Sequence, residues 1–337
     1  MALRVGINGF GRIGRLSARA IYEMQRRGEI EIAAINDPGV NNVHLLKYDS
    51  VHGRAPMHVV RDSADLMHIA DDEIPRYRTR EPEEIPWGKH GVDIVFECTG
   101  KFTDKEGASR HLKAGAKKVL VSAPCKGEDL TVVYGVNHSK LKATDKIISN
   151  ASCTTNCLGP VAYVLNKAIG IEHGFMTTIH SYTGDQVTVD ASHKDPYRAR
   201  AAALNLIPTS TGAAKAIGKV LPELDGKLDG VSIRVPTPNV SLVDFKFTAK
   251  RKTSVEEIND AMKKAASGEL KNIVAVYDEP LVSSDFNHDP HSALFGLDGT
   301  KVIDGVFVRV MAWYDNEWGF SCRMLDTALA MHKAGYK

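Results

Sequence analysis

The chain has 337 residues, 43% hydrophobic and 25% charged, which is the balance of an ordinary globular protein and excludes a disordered or membrane-embedded one. Length alone allows about two domains. Lys plus Arg number 43 against 41 Asp plus Glu, so no nucleic-acid or membrane partner is expected and any anionic ligand must be held by local groups.

In chain order, apolar β-like runs first alternate with helical stretches: a strand over Leu3 to Asn8, a helix from Arg12 to about Arg27, and a strand over Ile30 to Asn36. Further strands are predicted at Asp93 to Cys98, Lys118 to Ser122, Thr131 to Val136 and Ile147 to Ser149, with a helix at Lys105 to Ala114. That alternation reads as a mostly parallel, helix-covered sheet. After Cys153 the texture changes to long β-rich stretches, Phe175 to Tyr182, Val231 to Val235, Val240 to Lys250 and Val306 to Trp313, which predict a largely antiparallel sheet. Helices are expected at Thr154 to Ile169, Gly212 to Leu221 and Ser254 to Ala266, the last opening on the capping pattern Ser254-Val255-Glu256-Glu257, and again from Gly319 to Lys333.

Five cysteines, Cys98, Cys125, Cys153, Cys157 and Cys322, are odd in number and scattered, which fits free thiols in a reducing compartment. The amino terminus runs into its first strand without a signal-like apolar stretch, and a cytoplasmic location is expected. No His or Cys near Cys153 and Cys157 completes a zinc-ligand spacing, so no metal is expected.

Gly9-Phe10-Gly11-Arg12-Ile13-Gly14 stands between the first strand and the first helix. Small residues there permit a tight turn and let a pyrophosphate reach the helix amino terminus. Alone, such a sequence can be a glycine-rich turn. Asp37, at the end of the second strand, can accept hydrogen bonds from the hydroxyls of an adenine ribose and would repel a 2′-phosphate, which argues for NAD. Alone, Asp37 could equally cap a turn.

The passage Ser149-Asn150-Ala151-Ser152-Cys153-Thr154-Thr155-Asn156-Cys157 places Cys153 at a helix amino terminus, where the helix field stabilises a thiolate. A cysteine taken at random is more often a small buried residue, but hydroxyls and capping groups surround this one. His180 ends a β-like run; paired in space with Cys153, its imidazole could stabilise the thiolate and serve as acid and base. Pro208 to Lys215, hydroxyls opening a helix, and Arg234 on a strand offer anion contacts, although each taken singly is more often a cap or a surface ion pair.

These residues resemble the glyceraldehyde-3-phosphate dehydrogenase family over nearly the whole chain. The resemblance rests on Asn8 to Arg15, Ser149 to Cys157, His180-Ser181-Tyr182-Thr183, Pro208 to Lys215, Arg234 to Val240 and Trp313-Tyr314-Asp315-Asn316-Glu317. It implies an α/β chain: a Rossmann-type, doubly wound NAD(P)-binding domain over residues 1–152, an α+β catalytic domain over 153–318, and a C-terminal helix over 319–337 returning to the first domain. It implies Cys153 as nucleophile and His180 as base. Thr183 and Arg234 match the site for the substrate's own phosphate; Ser152, Thr154, Thr211 and Gly212, with Arg198 as a further contact, match the site for inorganic phosphate. For the cofactor it implies Gly9, Gly11, Arg12, Ile13, Gly14 and Asp37, then Arg80, Thr99 and Ser122, with Asn316 at the nicotinamide amide. A homotetramer follows from the same resemblance.

Two departures mark the pattern. Ala191-Ser192 stands where strictly NAD-using members have Leu-Pro and resembles members that accept NADP, so dual cofactor use is expected. Asp285 to Ser292 and Asn316 to Phe320 look like the sister erythrose-4-phosphate dehydrogenases, whereas His180 to Thr183 and Thr209 to Gly212 keep the hydroxyls of the phosphorylating group. A cofactor-free hydrolase using Cys153 and His180 would lack any use for the Gly9 to Gly14 sequence, and a nucleic-acid-binding module finds no support in the near-neutral charge.

Overall fold

A computed structural model describes residues 2–62 and 65–335. The chain divides into two compact units, the first comprising residues 1–134, 138–152 and 320–337 and the second residues 135–137 and 153–319.

The first unit opens with β1 (Leu3–Asn8), α1 (Arg12–Glu23) and β2 (Ile30–Asn36). Then come α2 (Asn42–Lys47), the short pair β3 (Tyr48–Asp49) and β4 (Gly53–Arg54), and strands β5 (Val59–Asp62), β6 (Leu66–Ile69) and β7 (Asp72–Tyr77). Its other half holds β8 (Ile94–Glu97), α3 (Lys105–Lys113), β9 (Lys118–Val121), β10 (Leu130–Thr131) and β11 (Ile147–Ser149). Nine strands form one sheet in the order β10-β11-β9-β8-β1-β2-β7-β6-β5, parallel from β10 to β7, with β6 and β5 added antiparallel at one edge. β1 is central and nearly every residue in it is buried, as a strand covered on both faces requires. The topology reverses beside it, between β2 and β8, and that is where open α/β sheets bind ligands.

The first helix ends at Glu23 rather than near Arg27, because Gln25 takes φ 56° and turns the chain toward β2. Of the stretch from Thr131 to Val136 only Thr131 is in a strand, paired into the sheet with Leu130 before it; Val132 and Val133 are buried all the same.

The second unit carries α4 (Cys153–Ile169), β12 (Ile171–Ser181), β13 (Ile207–Ser210), α5 (Ala213–Val220), β14 (Leu228–Val235) and β15 (Ser241–Ala249). It continues through α6 (Val255–Ser267), β16 (Val274–Tyr277), β17 (Ala293–Ile303) and β18 (Phe307–Tyr314). Its seven strands run β13-β14-β12-β15-β18-β17-β16; β12 with β14 and β16 with β17 are parallel, and every other pairing is antiparallel. α4, α5 and α6 cover the sheet, with Ser254 Oγ accepting from the Glu257 N–H at 3.3 Å to cap α6. α7 (Trp318–Ala334) begins in the second unit and from Phe320 onward belongs to the first. Among the described residues no helix is long and apolar enough to cross a membrane.

Candidate active site

In the first unit, β1 delivers the chain to a turn that only glycine can make. Gly9 sits at φ +89°, and a Cβ on it would lie 2.7 Å from the Thr99 nitrogen; one on Gly14 would lie 2.1 Å from the Gly9 carbonyl oxygen. Gly11 differs, for nothing lies within 4 Å of where its Cβ would be. It is the N-cap of α1, which has neither a side-chain cap nor an acidic residue in its first turn. The dipole of that helix end and the open space over Gly11 fit a pyrophosphate. Arg12 and Ile13 are half-buried in the same turn, and Arg12 Nη1 pairs with Asp49 Oδ2 at 2.6 Å. Burial alone would raise the Asp49 pKa; the Arg12 guanidinium and the Val51 and His52 amides overcome it and hold the carboxyl at about 2.

Next to that turn lies a pocket of about 220 Å³ lined by Asn8, Gly9, Gly11, Asp37, Arg80 and Thr99 among others. Asp37 is fixed by three donors: Phe10 N–H to Oδ2 at 2.7 Å, and Gly39 N–H and Asn42 Nδ2 to Oδ1 at 2.7 and 3.1 Å. Arg76 Nη2 donates to the Gly39 carbonyl at 2.8 Å, so the Pro38-Gly39 loop is tied down. Oδ2 keeps room to accept a ribose hydroxyl. Arg80 is exposed at the rim, and half-buried Ser122 follows β9, its N–H bonded to the Glu97 carbonyl at 3.0 Å.

Beneath the pocket is a buried carboxylate that the motifs do not reveal. Glu97 is 1% exposed; its Oε1 accepts from the N–H and the hydroxyl of Thr99 and its Oε2 from Asn8 Nδ2 at 2.6 Å and His111 Nε2 at 2.9 Å. The indole N–H of Trp87 reaches His111 Nδ1 at 3.1 Å and can only donate, so Nδ1 accepts and Nε2 carries the proton toward Glu97. Four donors thus satisfy a carboxylate with no cation beside it. β1–β8 pairing, Asn8 opposite Glu97, brings the Asn8 amide to the carboxylate.

In the second unit, sheet register gathers residues distant in sequence. Parallel pairing of β12 with β14 sets His180 opposite Arg234, and antiparallel pairing of β15 with β18 sets Ser241 opposite Tyr314. All four stand at one end of the sheet, where Cys153 opens α4. Cys153 Sγ lies 3.5 Å from His180 Nε2. His180 Nδ1 is 2.7 Å from the Ser181 carbonyl and 2.8 Å from Arg234 Nη1. It cannot donate to one and accept from the other at once. Arg234 Nη1 has its own acceptor in the Ser181 carbonyl at 3.0 Å; with Nδ1 donating to the same carbonyl, Nε2 is left as a lone pair facing the thiol.

Burial dominates the electrostatics here. It pushes the Cys153 thiol up, opposed by the charge of Arg234 and by hydrogen bonds from Thr154 and the amides at the start of α4. It pulls His180 down to about 3, reinforced by Arg234 and Arg198 and opposed by the Ser181 carbonyl. The resting pair is therefore a thiol and a neutral imidazole, with the thiolate favoured only as the helix amides and Arg234 outweigh desolvation.

The remaining candidates occupy several elements of the second unit and, for Ser152, the first. Thr154 is buried, and its hydroxyl and that of Thr178 meet Tyr314 Oη, each at 2.8 Å. Thr183 is half-buried just beyond β12, and its carbonyl accepts from Gln186 N–H at 2.9 Å. Arg198 is held between Asp185, at 2.6 Å, and the Thr209 hydroxyl, at 3.1 Å. Thr211 Oγ1 accepts from Ala213 N–H at 3.2 Å, and exposed Gly212 is the N-cap of α5. Arg234 Nε is buried and has no hydrogen-bond partner. Asn316 is 5% exposed, and its Oδ1 accepts from Ser181 Oγ and Ser241 Oγ, each at 2.8 Å. Ser152 belongs to the first unit. Sequence reasoning missed Tyr314, Ser241 and Asp185; of these only Tyr314 left a signal, a polar tip at a core-facing position of an alternating strand. Among the described residues no group of His, Cys, Asp and Glu could hold a metal ion.

Residues 3–105 match the family described as "Glyceraldehyde 3-phosphate dehydrogenase, NAD binding domain" and residues 152–316 its C-terminal domain. A glyceraldehyde-3-phosphate dehydrogenase of Cereibacter sphaeroides is 62% identical over 98% of this chain and 99% of its own. One from Xanthobacter flavus is 62% identical over 99% and 100%, and one from Pseudomonas aeruginosa 54% identical over 99% of each. A dinucleotide-type turn on one unit, a thiol–imidazole pair on the other and identity of this extent across the full length carry one conclusion: the chain belongs to the glyceraldehyde-3-phosphate dehydrogenase family.

Proposed function

We propose that the chain oxidises glyceraldehyde 3-phosphate with NAD and inorganic phosphate to 1,3-bisphosphoglycerate, a step of glycolysis and gluconeogenesis. The observation that carries this is Cys153 Sγ at 3.5 Å from His180 Nε2, with the ring's other nitrogen engaged by the Ser181 carbonyl. Cys153 adds to the aldehyde carbon to give a hemithioacetal, its proton passing through His180. Bound NAD supplies a hydride acceptor. As the C–H bond breaks, His180 Nε2 takes the hydroxyl proton, and the carbon becomes a thioester on Cys153. Phosphate oxygen then attacks that carbon, the C–S bond breaks, and the thiolate returns.

The unpartnered Nε of Arg234 and Thr183 suit the substrate's phosphate. Thr211, Gly212 and the α5 amides, with Ser152, the Thr154 amide and Arg198, suit the attacking phosphate. Thr154 Oγ1 is engaged by Tyr314, so its part falls to its N–H. Asn316, its oxygen turned inward, has its NH₂ left to meet the nicotinamide carboxamide.

NAD is the preferred cofactor, held by Gly9, Gly11, Arg12, Ile13, Gly14, Asp37, Arg80, Thr99 and Ser122. Use of NADP requires the 2′-phosphate to sit beside the thrice-bonded Asp37, and Ala191-Ser192 is the feature that speaks for it. A homotetramer is proposed on the family's pattern alone. Five free thiols support a cytoplasmic location.

Initial rates with both sugar phosphates, both cofactors, and phosphate present or omitted test the reading. Phosphate-dependent reduction of NAD by glyceraldehyde 3-phosphate is expected. Faster, phosphate-independent oxidation of erythrose 4-phosphate would overturn it.

A further inference from the structure

Asn316 is held in an unusual way. Two hydroxyls converge on one amide oxygen, from strands that meet only through the sheet. Ser181 ends β12 and is fully buried; Ser241 opens β15 and is 1% exposed. The Ser181 N–H donates to Ser241 Oγ at 3.1 Å, so the hydrogen of Ser241 is committed elsewhere, and Asn316 Oδ1 lies 2.8 Å away to receive it. Ser181 Oγ donates to the same oxygen at 2.8 Å. Turning the amide over would point its N–H groups at two buried hydroxyls; these lie 3.4 Å apart, so one could donate to the other and the second hydrogen would be left without an acceptor, a cost of about 1–3 kcal/mol. The orientation with oxygen inward and NH₂ outward is thereby fixed.

The chain on both sides of this contact is constrained. Val240, a β-branched residue, sits at φ 68° immediately before Ser241, a conformation that persists only where its surroundings enforce it. Asp315, immediately before Asn316, accepts four bonds: Asn239 Nδ2 and the His288 N–H at 2.8 and 2.7 Å, and the Glu317 and Trp318 N–H groups at 2.9 and 2.7 Å. It thereby locks the start of α7. Ser181 serves both sides of the chemistry, since its carbonyl holds His180 and its hydroxyl holds Asn316.

We propose that Ser181 and Ser241 are positioning residues that make Asn316 a pure donor toward the cofactor, so that it selects the carbonyl oxygen of the nicotinamide carboxamide and with it one setting of the ring. The proposal rests on the cofactor reading above. It deepens that reading by assigning orientation to side chains that act only through Asn316.

Calorimetric titration of the whole protein with NAD and with ADP-ribose, which shares everything but the nicotinamide, tests it. For wild type, NAD binds more tightly than ADP-ribose. Ser241→Ala and, separately, Ser181→Ala weaken NAD about tenfold, leave ADP-ribose within about twofold, and thus erase most of the difference between the two. Asn316→Asp, an isostere that keeps the inward oxygen but turns the outward donor into an acceptor, erases it too. Should one serine variant fail to fold, the other and the isostere still decide. Equal weakening of NAD and ADP-ribose, or no weakening of either, would overturn the proposal. Wild type that binds neither ligand would instead bring down the cofactor reading, and the proposal with it.

Discussion

Arg234→Gln removes a positive charge from beside two groups whose titrations it moves. His180 is held at about 3 against an ordinary 6.5, a displacement of about 3.5 pH units or ~5 kcal/mol. Burial is its largest cause and Arg234 the next. Two unit charges about 4 Å apart at an effective dielectric of 20 interact by roughly 4 kcal/mol. The guanidinium charge is spread over its plane, so the share of Arg234 is smaller, and its removal should raise the imidazole midpoint by roughly one to two pH units. Gln is shorter than Arg, so the bond from Nη1 to the Ser181 carbonyl is lost together with the charge.

The same charge lowers the Cys153 thiol, so the variant should show a raised thiol midpoint and slower alkylation by iodoacetamide near neutral pH. The imidazole is read by ¹⁵N-histidine NMR, with His180→Asn to assign the signal. The effect on stability follows with its sign. His180 binds its proton less readily folded than unfolded, so the stability it contributes is complete above pH 6.5 and is lost as pH falls toward 3. Arg234→Gln should flatten that loss. An imidazole midpoint that stays put or falls, or a thiol that alkylates faster, would refute the assignment of Arg234 as the shared electrostatic control.

Three further outcomes are expected. Cys153→Ser should abolish oxidation while calorimetry shows NAD bound as in wild type, because the nucleophile belongs to the second unit and the glycine turn to the first. Gly14→Ala should unfold the first unit at lower temperature, since its Cβ would lie 2.1 Å from the Gly9 carbonyl, whereas Gly11→Ala should keep the melting temperature and weaken NAD, because the space it fills is open. Glu97→Gln replaces an acceptor of four bonds by a group with a donor of its own among donors; about 2–3 kcal/mol of stability should go, seen as a lower urea midpoint with an unchanged slope.

How much of this was legible depended on distance along the chain. Leu3–Asn8, Ile30–Asn36 and Ile147–Ser149 were readable to the residue, because a short apolar run bounded by polar or glycine residues is a local pattern. β17, Ala293–Ile303, was not foreseen: Gly296, Asp298 and Gly299 interrupt its alternation, and the register shift between Gly296 and Lys301 is a feature of pairing. β13 hid inside what read as the cap of α5. β5 to β7 were missed too; they extend the parallel sheet with antiparallel strands, an addition the alternation of strand and helix gives no reason to expect.

The site obeys the same rule. Glycine spacing at Gly9 to Gly14 and the cluster of hydroxyls around Cys153 are local, and sequence reading found them. The pairing of His180 with Arg234 is set by strand register across 54 residues, and that of Ser181 with Asn316 across 135. Neither spacing carries a sequence signal of its own. A buried hydroxyl becomes a positioning group only once its acceptor is known, which is why Ser241 reads as an ordinary strand residue until β18 and the start of α7 are laid beside it. Chemistry-bearing side chains can thus be nominated from sequence, but the groups that aim them are chosen by the sheet, and substitutions at those aiming groups should act on orientation before they act on stability.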